Sequence, residues 1–161
     1  LVESEKQPFD VVIMHDCSRC PVNKETQKMF HAAVDVHAKA LKKENIEVML
    51  MMTWPYKDKP AMTKKLRKEY VKAANRNNIM VSPVGLAFHE VNKSYPNINL
   101  YTKDLRHPSP AGTYLAAAVL FGSIYKKTPE GNPYIFGLNS QEAEILQKIA
   151  WQVNQNFYKG K

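Results

Sequence analysis

The fold is decided by the stretch from Ile46 to Trp54, which reads IEVMLMMTW. This run is apolar with few interruptions, and the segment TWPYKDKP that overlaps its end has the composition of a loop. Such runs are typical of strands that are buried on both faces, as in the parallel sheets of α/β proteins. The stretch therefore predicts a buried parallel strand at about 46–52.

Similar apolar runs lie on either side of this strand. Toward the N-terminus, the run FDVVIMHD predicts a buried strand at about 9–15 whose carboxyl end delivers polar side chains to a site. Toward the C-terminus, the run IMVSPV predicts a third strand at about 79–83. A brief apolar stretch at about 98–101 is a candidate fourth strand.

Apolar residues at helical spacing fill the intervals between these strands. Asn23 is predicted to cap the first helix, and Asn45 to end it in a left-handed conformation. A second helix is predicted to end at Asn77 and Asn78. A short helix near 86–92 follows the third strand.

Two further helices occupy the C-terminal part of the chain. Ser109 as N-cap and Pro110 at the first helical position predict a buried helix, because TYLAAAVLFGSIY is apolar nearly all round. Asn139 and Glu142 have the spacing of a capping box before the last helix. Strands and helices that alternate with short links predict a three-layer α/β/α sandwich with a parallel sheet.

The 161 residues are predicted to form one domain that is incomplete at its N-terminal side. Three convincing strands are few for a sheet covered by this many helices, so we expect one or more N-terminal strands to be missing. The chain begins with Leu1 rather than Met, and its opening segment lacks the pattern of a signal peptide. We therefore expect further residues upstream of this chain.

The charge balance is +8, and many of the basic residues lie between Lys57 and Arg76. A basic patch can bind nucleic acid, but no nucleic-acid-binding motif accompanies these residues, and they alternate with apolar helix positions. A solvated helix face is the favoured interpretation, without a nucleic-acid partner. The longest apolar stretch, Tyr114 to Tyr125, is shorter than the roughly 20 residues of a membrane span. Neither a cofactor nor an oligomeric state is indicated.

The chemistry is concentrated in the segment DLRHPSPAGTYL, in which Asp104 precedes His107 by three residues. In a loop, the carboxylate can fold back to accept the imidazole Nδ1–H, which leaves Nε2 free as a general base. The two prolines and the immediate start of a helix would stiffen the loop and hold the base near a nucleophile. The pair is predicted to lie at the C-terminal edge of the sheet. Ser109 is expected to cap the helix rather than act as the nucleophile.

These features resemble the SGNH (GDSL-like) hydrolases, in which an Asp-x-x-His element lies just before the last helix of the domain. FDVVIMHDCS, MTWPY and VSPVGLAF follow the order found in a bacterial subfamily of that family. The resemblance implies an SGNH/flavodoxin-like fold and a serine hydrolase that acts on an acyl or acetyl ester, including one on a carbohydrate. It also favours a secreted or periplasmic location.

The chain departs from that family's pattern at its N-terminal side. The Gly-Asp-Ser or Gly-Asn-Ser turn that carries the nucleophile is absent, and His15-Asp16-Cys17-Ser18 stands where the family usually has Gly-x-Asn-Asp. The resemblance therefore implies a Ser-His-Asp triad whose serine lies upstream, and this chain alone is expected to be inactive. His15, Asp16, Cys17 and Ser18 are expected to face the same cleft as His107, and Trp54 is a candidate lining residue.

Three alternatives stay open. Cys17 and Cys20 follow a strand and precede a helix, as in thiol–disulfide redox proteins, although a structural disulfide or two free thiols would have the same spacing. His15 and Asp16 with the two cysteines offer zinc-type ligands, but no second cluster completes a metal site, so no metal is predicted. An SGNH-like module that has lost its serine and only binds a ligand is the third alternative.

Overall fold

The computed structural model describes residues 9–159, which form three strands and five helices. The strands are β1 (Val11–Met14), β2 (Glu47–Met51) and β3 (Met80–Ser82). The helices are α1 (Gln27–Lys43), α2 (Met62–Asn77), α3 (Val84–Ser94), α4 (Pro110–Tyr125) and α5 (Ser140–Lys159).

The three strands form one parallel sheet in the order β1-β2-β3. Leu50 of β2 lies opposite Met14 of β1 and Val81 of β3. Parallel strands need crossover connections, and α1 and α2 provide them here. The predicted parallel sheet is therefore confirmed, with observed strands that lie within the predicted ranges.

The sheet lies between two layers of helices. Side chains of β2 alternate between its faces, as the period of a strand requires. Val48, Leu50 and Met52 pack with α1 and α2, whereas Met51 packs against the cluster formed by α3, α4 and α5. This arrangement confirms the predicted three-layer α/β architecture and places the first helical turns of α3 and α4 near the carboxyl edge of the sheet.

β1 is less buried than its apolar sequence predicts. All four of its residues are half-buried or exposed, and Ile13 and the nearby Phe9 are 37% and 48% exposed. The physical reason is position, because β1 is an edge strand with no strand beyond it among residues 9–159. β2 is central, and its Met49 is fully buried.

The candidate strand at 98–101 is wrong. Leu100 and Tyr101 are buried, but Tyr101 makes only an isolated antiparallel bridge to Pro108. The backbone N–H of Ser109 donates to the Leu100 carbonyl over 3.0 Å, so this segment pairs with its own loop instead of with the sheet. Its apolar side chains fill the core beneath α3 and α4.

Most of the predicted helix ends are confirmed. Asn45 and Asn78 adopt left-handed conformations with φ of 59° and 48°. The Ser109 hydroxyl accepts from the Gly112 N–H at 3.1 Å. Asn139 accepts from the Glu142 N–H at 2.8 Å.

The predicted cap at Asn23 is wrong. Its side chain accepts from the Glu25 N–H, which forms a local turn, and α1 begins only at Gln27. An asparagine side chain can accept a hydrogen bond at the start of a helix or within a turn. Here Asn23 accepts one within the turn that follows Pro21.

The basic residues of α2 lie in solvent. Leu66, Tyr70 and Ala73 of α2 are fully buried, while its Lys64, Lys65, Arg67, Lys68 and Lys72 are exposed. This is the solvated helix face that the sequence predicts. Within residues 9–159, no helix is both long and apolar enough to span a membrane.

Candidate active site

The loop between Tyr101 and α4 folds back on itself to bring Asp104 beside His107. The Thr102 N–H donates to the His107 carbonyl at 2.9 Å, and the Leu105 N–H donates to the Thr102 carbonyl at 3.0 Å. Leu105 has a φ of 62°, a left-handed conformation that a leucine adopts only when its surroundings impose it. The following residues enter α4 directly, so the helix anchors the C-terminal end of the loop.

The carboxylate of Asp104 is surrounded by donors. Its Oδ1 accepts from the Thr102 hydroxyl at 2.8 Å and from the backbone N–H groups of Arg106 and His107 at 2.9 Å each. Its Oδ2 bonds to Nδ1 of His107. These hydrogen bonds, that with the His107 ring first among them, hold the pKa of the Asp104 carboxyl well below its ordinary value. The carboxylate is therefore charged and fixed in orientation.

The imidazole of His107 is oriented by one nitrogen and open at the other. Nδ1 bonds to Asp104, as the Asp-x-x-His spacing predicts. No residue of the described segment 9–159 hydrogen-bonds to Nε2, and 79% of the side chain is exposed. A ring held in this way can take a proton at Nε2 while the carboxylate stabilises the resulting imidazolium.

Trp54, a predicted lining residue, contacts this loop. Its indole N–H donates to the Arg106 carbonyl at 2.8 Å, and its ring stacks on Phe88 with centroids 4.6 Å apart. The Arg106 guanidinium lies 4.8 Å from the centre of the Tyr56 ring. The segment after β2 thus fixes the position of the Asp104–His107 loop relative to the sheet.

Two contributors to the site were missed in the sequence. Thr102 donates its hydroxyl to Asp104, and the Lys57 N–H donates to the Leu105 carbonyl at 3.0 Å. The Thr-x-Asp spacing is a signal for the first, because threonine hydroxyls commonly bond within turns of this kind. The Lys57 contact joins two segments that are distant in the sequence, so no local pattern predicts it.

The low pKa of Asp104 can be tested by titration. Its pKa is lower in the folded chain than the 3.8 of a free side chain, so this group favours folding above that pH. The contribution is lost as pH falls below that value toward the folded pKa. Carboxyl ¹³C NMR is expected to show Asp104 still ionised at a pH where an unperturbed aspartate is half protonated. Thr102→Val, which removes one donor, is expected to raise the midpoint, and an ordinary midpoint in the unsubstituted chain would contradict this geometry.

His15, Asp16, Cys17 and Ser18 follow β1 at the carboxyl edge of the sheet. His15 and Asp16 line a cavity of about 290 Å³ whose other walls come largely from α1, including Phe30 and His37. His107 is not among the residues that line this cavity. The expected cleft shared by the two groups therefore stays a prediction.

Cys17 and Cys20 form a disulfide that closes a short turn between β1 and α1. Asp16 and both sulfurs lie within 4.8 Å of one another, a spacing that could suit a metal ion. A zinc site requires thiolates, however, and bonded cysteines have none to offer. The disulfide is consistent both with a structural role for the two cysteines and with a redox role, and both interpretations stay open.

Reduction of this disulfide is expected to have a small effect on stability. The two cysteines are three positions apart, so the closed loop is short and the loss should be at most about 2 kcal/mol. Urea unfolding with and without a reductant measures this loss, and the double variant Cys17→Ser, Cys20→Ser controls for the added reductant. Global unfolding on reduction would show that the bond supports more of the fold than its own turn.

No protein-family profile and no curated protein sequence matches the chain. A solved structure of a DUF4886 family protein from Bacteroides uniformis superposes with a TM-score of 0.76 at 21% identity, over 94% of this chain and 64% of that protein. A candidate SGNH hydrolase from Slackia heliotrinireducens gives a TM-score of 0.61 at 24% identity, over 71% of this chain and 65% of that protein. The chain thus spans slightly less than two thirds of each, and it shares with both the α/β fold that the sequence predicts.

Proposed function

We propose, from the resemblance to SGNH hydrolases, that the chain carries the acid–base half of a serine-hydrolase site. Asp104 orients His107, and His107 activates a serine that a segment upstream of this chain supplies. The substrate is an ester with an acyl or acetyl group, and a carbohydrate ester belongs to this class. The domain is proposed to span the whole of 1–161 together with the upstream segment.

The observation that carries the proposal is the geometry of Asp104. Three donors hold Oδ1, while Oδ2 is reserved for Nδ1 of His107. A structural aspartate at a turn needs only the backbone donors, and these alone would not direct a carboxylate oxygen at an imidazole. The exposed ring supports a role outside the core, because a histidine that served packing would be buried.

The proposed reaction has two stages. The serine hydroxyl attacks the ester carbonyl carbon while Nε2 of His107 takes its proton, and the tetrahedral intermediate collapses when the alcohol leaves with that proton. Water then attacks the acyl-serine, again losing a proton to Nε2, and the proton returns to the serine oxygen as the acid departs. The Asp104 carboxylate stays ionised throughout and stabilises the imidazolium.

The length of the similar structures and the open edge of the sheet both leave room for a further segment. Each contains residues beyond the part that this chain matches, about a third of its length. β1 is an edge strand with half-exposed side chains, so a further strand has a place to pair. A strand that paired there in parallel would have its C-terminal end at the carboxyl edge of the sheet. The loop that carries His107 lies at that same edge.

Turnover of p-nitrophenyl acetate tests the proposal. The 161-residue chain is expected to show no hydrolysis beyond a small residual rate, because it lacks the nucleophile. A longer protein that includes an upstream Gly-Asp-Ser or Gly-Asn-Ser block is expected to hydrolyse the ester. If the longer protein binds esters but never hydrolyses them, the site is a binding module and the proposal is wrong.

A further inference from the structure

A groove runs along α4, the helix that follows the Asp104–His107 loop. Its floor comes from Thr113, Ala117 and Phe121, and its outer wall from Pro129, Tyr134 and Phe136. The volume of about 380 Å³ lies in the range of small-ligand sites, about 300–1,000 Å³. We call this cavity the α4 groove.

The wall of the α4 groove is held by a buried glutamine. Gln147, 2% exposed, donates through Nε2 to the Tyr114 hydroxyl at 2.8 Å and to the Asn132 carbonyl at 3.0 Å. Its Oε1 accepts from the Gly131 N–H at 2.9 Å. The Tyr114 hydroxyl donates in turn to the Tyr134 carbonyl at 3.1 Å. The segment opposite α4 is therefore ordered before any ligand binds.

This ordered segment keeps two aromatic rings in solvent. Tyr134 is 66% exposed and Phe136 45% exposed, and their centroids lie 6.4 Å apart. The two rings extend the apolar surface of the cavity, and burying them on binding would remove apolar area from water. Binding of an apolar ligand in the α4 groove would bury them.

Three of the polar groups along the wall already have hydrogen-bond partners, which favours an apolar ligand over a sugar. The Asn132 side-chain oxygen accepts from the Tyr134 N–H at 3.0 Å, and the Tyr114 hydroxyl and the Asn132 carbonyl are engaged by Gln147. A sugar bound here could not form hydrogen bonds with these three groups, and burying its hydroxyl groups without partners would cost free energy. A hydrocarbon chain has no such requirement.

The α4 groove begins in the first turn of the helix that follows the candidate site. His107 lies three residues before Pro110, where α4 begins, and Thr113 is in the first turn of that helix. From Thr113 to Phe121 the floor extends about 12 Å along the helix. We propose that the α4 groove binds the apolar acyl chain of the ester substrate, a medium-length aliphatic chain. The assignment of that chain to an ester rests on the proposed function, but the binding itself does not.

Titration of the 161-residue chain with hexanoate, octanoate and decanoate tests this site by NMR. Shifts are expected at Thr113, Ala117 and Tyr134, and affinity should rise by about fourfold for each added methylene group. Shifts confined to another surface, or affinity that does not depend on chain length, would overturn the proposal.

Two pairs of variants sharpen the test. Ala117 is exposed on the groove floor, so Ala117→Trp fills the groove without entering the core, and decanoate affinity should fall about tenfold or more. Ala40→Trp, at an exposed position of α1, is the matched control and should bind normally. Tyr134→Ala should weaken binding, whereas Phe9→Ala at the far edge of the sheet should not. Unchanged binding by both groove variants would overturn the proposal.

The binding result and the hydrolysis result can be told apart. Decanoate binding needs no nucleophile, so a protein that binds decanoate in the α4 groove but hydrolyses no ester supports the groove and contradicts the proposed function. A protein that hydrolyses acetyl esters and binds no decanoate contradicts the groove alone.

Discussion

Replacement of His107 by alanine is expected to lower kcat for ester hydrolysis by about 10⁴-fold or more, in a protein that includes the proposed serine. The loss is this large because the imidazole accepts the serine proton in one step and delivers it to the leaving alcohol in the next. His107 is exposed, so the substitution removes no core contact. The thermal midpoint should therefore change little.

The control is Lys39→Ala, at an exposed position of α1. It removes an exposed side chain that lines neither the proposed acid–base site nor the cavity beside His15, and kcat should stay within about twofold of the parent. A His107→Ala protein that kept a tenth or more of the parental kcat would show that another group acts as the base.

Replacement of Gly112 by alanine is expected to lower the free energy of unfolding by about 3 kcal/mol. A Cβ at this position would lie 2.3 Å from the Leu100 carbonyl oxygen and 3.1 Å from Cβ of Pro108. The first contact is with backbone that already accepts the Ser109 N–H, so no flexible side chain can move aside to relieve it. The start of α4 must shift, and the His107 loop must shift with it.

Urea unfolding measures this effect, with Thr113→Ala at the exposed neighbouring position as the control. The control should change stability by about 0.5 kcal/mol or less. In the longer protein, Gly112→Ala should also reduce turnover, because misplacing a base by about 1 Å costs about a hundredfold. A Gly112→Ala chain as stable as the parent would mean that α4 and the 98–101 segment do not pack this closely.

The central part of the fold was predictable because strong local signals agree there. The apolar run of β2, the left-handed asparagines after α1 and α2, and Ser109 before Pro110 each specify one local conformation. In these segments, the conformation that the local sequence favours is also the one that tertiary packing requires. The contact between Asp104 and His107 was predictable for the same reason, since three residues in a stiff loop leave few other arrangements.

The errors occur where long-range position decides the outcome. The sequence of β1 is as apolar as a central strand, and only its place at the sheet edge makes it half-exposed. Leu100 and Tyr101 are equally apolar, yet they are buried by α3 and α4 and not by strand pairing. Local patterns do not encode either fact. The same limit applies to Lys57, whose N–H reaches the His107 loop from a distant segment.

The acid–base pair of this chain is proposed to serve a serine that lies outside it, and labelling by a fluorophosphonate tests this most directly. Such probes bond covalently to a serine only where a base and oxyanion donors activate it. The 161-residue chain is expected to remain unlabelled, and the longer protein should be labelled at a serine upstream of Leu1, with the label lost in His107→Ala. Labelling of the short chain itself, with Ser18 as the first residue to examine by peptide mapping, would contradict the account.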